Sequence, residues 1–131
     1  MDFFLSLSLT QVFLVLSGSD YRVHLYCEDS VTHMAQEKSA MEYFPEFADE
    51  FPSVALWIEF HLIPDKSRRL TAVGCECGTL FLFIVDLKTN WVVNNERKNL
   101  GSSITSAKFF KMDKSVHLLV TNALLPASVY Q

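Results

Sequence analysis

Glycine and proline are scarce, four of each in 131 residues, which excludes collagen-like repeats and flexible-linker composition. Cysteine is scarcer. Cys27, Cys75 and Cys77 cannot all pair within one chain, so a disulfide scaffold is not expected and a reducing, intracellular compartment fits best. Cys75 and Cys77 flank Glu76 in a C-x-C, not the C-x-x-C of zinc or redox sites; on a strand both would share a face as small hydrophobes. Basic charge is also short, with 11 Lys and Arg against 15 Asp and Glu and a formal net charge of −4. A nucleic-acid binder needs a basic footprint to displace counterions from phosphates, and none is visible. The cluster Lys66, Arg68 and Arg69, and the looser Lys108, Lys111 and Lys114, read as solvated turns or strand edges.

Motifs that carry chemistry are absent as well. There is no H-E-x-x-H, P-loop, G-x-S-x-G or dinucleotide fingerprint. His24, His33, His61 and His117 are spread singly and read as structural. Asp20, Asp29, Asp49 and Asp65 lie beside turns, where side-chain capping accounts for them. No catalytic residue, cofactor or metal site is therefore expected. An enzyme on a β-fold is the least favoured class.

What is present is core material. Half the residues are hydrophobic, 20% are charged, and eleven Phe bring the aromatics to 13%, a composition that folds. Met1 to Leu16 is mostly apolar, yet the positive n-region of a signal peptide is missing, since Asp2 is the only charge before Asp20. Ser6, Ser8, Thr10, Gln11 and Ser17 interrupt the run, so a membrane helix is not expected. Residues 1–11 stand apart as atypical. One reading makes 2–11 translated intron, because Phe, Leu and Ser come largely from pyrimidine-rich codons and Leu9-Thr10-Gln11 can be read through an acceptor site ending in CAG. The other reading is native sequence.

From residue 12 onward, short β-rich runs alternate with turn clusters. Val12 to Ser17, the turn Gly18-Ser19-Asp20, and the alternating Tyr21 to Tyr26 predict a hairpin, with Gly18 supplying positive φ. Residues 30–52 read as an irregular or helical insertion, stopped near Pro45. Val54 to Phe60, with Val54, Leu56, Ile58 and Phe60 on one face and Trp57 on the other, opens a set of four antiparallel strands. Arg69 to Glu76, Thr79 to Leu87 and Trp91 to Glu96 complete it. The Leu80 to Val85 run is apolar on both faces and belongs inside a sheet. Ile104 to Phe110, Val116 to Thr121 and Ala127 to Tyr130 begin the pattern again.

The spacing suggests a repeat. Leu14 to Ser19, Leu70 to Cys75 and Leu118 to Ala123 are each a hydrophobic strand ending in a small or turn-forming residue. Gly18 and Gly74 are roughly 56 residues apart, and Gly74 and Asn122 roughly 48, near the 40–50 residues of a propeller blade. The fold class expected is all-β: an incomplete β-propeller of about two and a half four-stranded antiparallel blades with one insertion. Its divisions are blade strands 12–29, insertion 30–52, blade 53–98 and the start of another blade at 103–131. A β-sandwich is the alternative. Tyr43, Phe44, Phe47 and Phe51 are the candidate partner-binding residues, as an aromatic anchor; the other reading tucks them onto the protein's own body.

Three strings carry a resemblance. Leu16 to Tyr26 resembles the L-S-G-S-D-x-x-V-H-L-Y segment of the kaptin family. Glu42 to Phe47 is similar to its x-x-F-P-E-L loop, with Phe47 in place of Leu, and Arg68 to Cys75 to its R-R-x-x-A-x-G-C strand. The likeness covers about residues 12–125. It implies a propeller subunit of the KICSTOR assembly, which holds the GATOR complex at lysosomes and restrains TOR kinase signalling when nutrients fall. It also implies an actin-associated alternative. A cytoplasmic protein recruited to the lysosomal surface, or to actin-rich structures, follows from the same resemblance. That no nucleic-acid partner and no membrane insertion are expected follows from the charge balance and the interrupted apolar run. A further alternative is a fragment of a larger propeller protein without function of its own.

Overall fold

Residues 2–8, 11–28, 34–122 and 128–130 are described by the structure, a computed structural model. They form three antiparallel sheets, each a meander whose strands lie in chain order. The first sheet holds β1 (Asp2–Ser8), β2 (Gln11–Ser17), β3 (Val23–Glu28) and β4 (Ala35–Lys38). After it come a one-turn helix, α1 (Ala40–Tyr43), and a 3-10 turn at Pro45–Phe47. The central sheet holds β5 (Ala55–Ile63), β6 (Arg68–Cys75), β7 (Thr79–Asp86) and β8 (Trp91–Asn99). The third holds β9 (Ile104–Met112), β10 (Ser115–Asn122) and β11 (Ser128–Tyr130).

Period-2 alternation explains how the sheets stack. On β6 and β7, Val73, Cys75, Phe81 and Phe83 turn toward the first sheet, where they join Val23, Leu25, Phe44, Phe47 and Phe51 in one apolar cluster. Their neighbours Ala72 and Leu80 turn the other way and join Ile104, Ala107, Phe109, Leu118 and Val120 of the third sheet. The central sheet is thus covered on both sides. A two-layer sandwich has no place for such a sheet; the fold is all-β, open and propeller-like, with three sheets stacked face to face.

Several local details differ from the sequence expectation. Ala35–Lys38, inside the expected 30–52 insertion, form β4 and pair with β3. Asp2–Ser8, inside the segment set apart as atypical, form β1 and pair with β2. Leu56 does not join Ile58 and Phe60 in the core, because the register of β5 against β6 shifts between Ala55 and Trp57 and leaves Leu56 as the extra residue. One extra residue in β5 moves Ala55 onto the Ile58 face, where it is buried. The β2–β3 turn, closed by Tyr21 N–H donating to Gly18 O at 3.0 Å, takes its positive φ at Tyr21 (65°) and not at Gly18. Gly18 serves to give room: a Cβ there would stand 2.6 Å from Asp20 Oδ1 and 3.0 Å from His24 Cδ2.

The strand β8 closes the central sheet and is exposed at every residue. Asn94, Asn95, Glu96, Arg97 and Lys98 give this edge the polar character that discourages strand addition.

Candidate functional site

The candidate aromatic residues lie in the segment between the first two sheets, and the local chain geometry sets their direction. Pro45 presets φ for a tight turn, which is closed by Phe47 N–H donating to Phe44 O at 2.9 Å and Ala48 N–H to Pro45 O at 3.2 Å. This short turn points Phe44, Glu46 and Phe47 inward together. Phe44 is 0% exposed, Phe47 3% and Phe51 5%. Phe44 lies 5.5 Å from both Phe47 and Phe60, and Phe51 lies edge-on to Phe81 at 5.2 Å. Tyr43 is half-buried beside them. In this fold three of the four candidate anchors face the protein's own core, so the geometry is that of the tuck; only Tyr43 reaches the rim.

The polar centre of this seat is Glu46, which the sequence reading did not single out. Arg69 donates from Nε to Glu46 Oε2 at 3.0 Å and from Nη2 to Oε1 at 2.7 Å, a two-pronged pairing. Thr71 Oγ1 donates to the same carboxylate at 2.5 Å. The Arg69 guanidinium also stands 4.7 Å from the centre of the Phe44 ring. Glu46 is 4% exposed and Arg69 2%. Arg69 is therefore not a solvated strand edge, although Lys66 and Arg68 beside it are exposed. A signal was present: Arg69 shares its strand face with Thr71, Val73 and Cys75, and a charge on an apolar face demands a buried counter-charge.

Further bonds hold the segment in place. Phe51 N–H donates to Tyr21 O at 2.7 Å, tying it to the first sheet, and Asn90 Nδ2 donates to Glu42 O at 2.7 Å, tying it to the β7–β8 turn.

The remaining residues of interest are scattered. His117 is buried and stacks on Phe110 at 5.3 Å, and His61 packs at 5.7 Å from Phe109. His24 pairs with two carboxylates, and His33 lies outside the described residues. Cys75 is buried, and that burial pushes its thiol up to about 12. Cys77 does not share its face: it lies in the turn after β6 and is exposed. Burial acts to raise its pKa, but hydrogen bonds with Ser53 and Thr79 hold it below the ordinary value. Among the described residues no cluster of His, Cys, Asp and Glu could hold a metal ion, and no helix is long and apolar enough to cross a membrane.

The family model described as KICSTOR complex protein kaptin matches residues 5–117. The chain belongs to the kaptin family. The curated KICSTOR complex protein kaptin of Mus musculus is 33% identical over 133 residues, covering 93% of this chain and 30% of the relative. The chain thus spans under a third of that kaptin's length. No solved structure matches. Two of the kaptin-like strings prove to be the two sides of one contact: Glu46 of the Glu42 to Phe47 loop reaches Arg69 of the Arg68 to Cys75 strand.

Proposed function

We propose that this chain works as part of a non-catalytic interaction scaffold in a KICSTOR-like assembly. The carrying observation is the kaptin family match over residues 5–117, a span that includes the whole central sheet and the inserted segment. On this reading the partners are other protein subunits. The finer role is to hold a GATOR-type complex at the lysosomal surface and to restrain TOR signalling when nutrients fall.

The inserted segment is the proposed contact point. Phe44, Phe47 and Phe51 hold it against the body, Tyr43 packs half-buried at its rim, and Met41, 59% exposed, faces outward. Membership of the family favours a scaffold over an enzyme.

The test is co-expression of the chain with the other KICSTOR subunits, followed by affinity purification. The expected result is recovery of at least one subunit, weakened by joint Met41→Ala and Tyr43→Ala without change in the circular dichroism spectrum. Recovery of no subunit, or cosedimentation with actin filaments in place of subunit binding, overturns the reading.

A further inference from the structure

The imidazole of His24 lies between two carboxylates carried by different elements. Its Nδ1 is 2.8 Å from Glu37 Oε1 on β4, and its Nε2 is 2.9 Å from Asp20 Oδ2 in the β2–β3 turn. A neutral imidazole has one N–H and one lone pair, so it can donate to only one of these acceptors. Ionised carboxylates only accept. The two contacts are hydrogen bonds at the same time only while both ring nitrogens carry protons, that is, while His24 is an imidazolium. The site is also shaped for the pair, since Gly18 leaves the space that Asp20 Oδ1 and the His24 ring occupy.

We propose that Asp20, His24 and Glu37 form a pH-sensitive clamp that holds β4, and through it the start of the inserted segment, against the first sheet while His24 is protonated. On deprotonation one nitrogen presents a lone pair to a carboxylate and the contact turns repulsive. Asp20 has a second anchor, the Arg22 backbone N–H at 3.1 Å. Glu37 sits on the edge strand of the sheet, a four-residue strand that among the described residues pairs only with β3. The side that gives way is therefore β4. It leads directly through Ser39 into α1, and a cleft of ≈ 390 Å³ lined by His24, Glu37, Lys38, Met41 and Phe47 opens at this junction.

Among the described residues the charged groups around His24 are few. Arg22 and Lys38 line the same cleft. The strand β2 has no ionisable residue, and on β1 Asp2 stands in register with Leu16, the residue opposite His24. The Glu37 hydrogen bond is the foremost influence holding the His24 pKa above its ordinary 6.5; burial opposes it and Asp20 adds to it. Asp20 is held below 3.8, chiefly by the Arg22 amide, and stays ionised across the range where His24 titrates. A raised folded pKa means that the clamp's contribution is complete below the unfolded value of 6.5 and is lost as pH rises through the folded value.

The test combines a nuclear magnetic resonance titration of His24 with hydrogen-exchange protection factors of the β4 amides, corrected for intrinsic exchange, between pH 5.5 and 9. The expected result is a His24 pKa above 6.5, with β4 protection falling as pH crosses it by about tenfold per unit of elevation. Glu37→Gln keeps the shape of the site, lowers the His24 pKa and removes most of the pH dependence; His24→Gln abolishes it. A His24 that titrates at or below its ordinary value overturns the proposal. So does β4 protection that does not change with pH in the wild-type chain.

Discussion

At position 74 a methyl group has no room. A Cβ on Gly74 would stand 2.6 Å from Ile104 Cβ and overlap its Cγ2 more closely still. Ile104 is fully buried at the head of β9 and cannot swing into solvent. The conformation at Gly74 is ordinary extended strand, so the requirement is one of space and not of φ. Gly74→Ala should therefore destabilise the fold by about 1–3 kcal/mol, the usual cost of overpacking a tight interior. A urea-unfolding midpoint measures it. Adding Ile104→Ala creates the missing space, so the double variant should be more stable than the sum of the single losses implies. Additive losses would mean that Gly74 matters for some reason other than its approach to Ile104.

On the scale of elements, the inserted segment is held by apolar rings and by one buried ion pair. The ion pair is the more sensitive to single changes, because removing one partner leaves a buried charge with no counter-charge. Arg69→Met or Glu46→Leu alone should cost about 3–5 kcal/mol, while the two together should cost clearly less than their sum. Denaturant unfolding of the three variants checks this, and strictly additive costs would show that the pair is not coupled. Most strands from β2 onward were legible from sequence, because β3 alternates apolar and polar residues, β7 is a continuous apolar run of strand length, and turn residues separate the runs. The strand β4 was not, because Ala35–Lys38 carries no apolar alternation. The extra residue in β5 was not, since a bulge adds one position without disturbing the composition of the strand. The seat of the segment was half legible. The rings of Phe44, Phe47 and Phe51 announced burial somewhere, but only the fold shows that the apolar face awaiting them is on the protein itself, and that Arg69 reaches Glu46 across the 23 positions that separate them.

The whole molecule is a stack in which sheets meet neighbours and order is nearest-neighbour in character. The central sheet contributes Val73, Cys75, Phe81 and Phe83 to one apolar cluster and Ala72 and Leu80 to the other. The first sheet meets it through Val23, Leu25 and the inserted segment, and the third through Ile104, Ala107, Phe109, Leu118 and Val120. In such an arrangement an outer sheet can open while the rest stays folded, but the central sheet cannot open without exposing both clusters. Native-state hydrogen exchange should therefore show a gradient. The amides of β6 and β7, around Val73 and Phe81, should exchange slowest and track global unfolding. Those of β4 and of the exposed edge β8 should exchange through smaller openings that depend little on denaturant. Ile104→Ala, which empties part of the interface with the third sheet, should lower protection in β9 and β10 far more than in β3. Uniform protection across all three sheets, moving together in every variant, would show a single cooperative unit and would contradict a stack of separable layers.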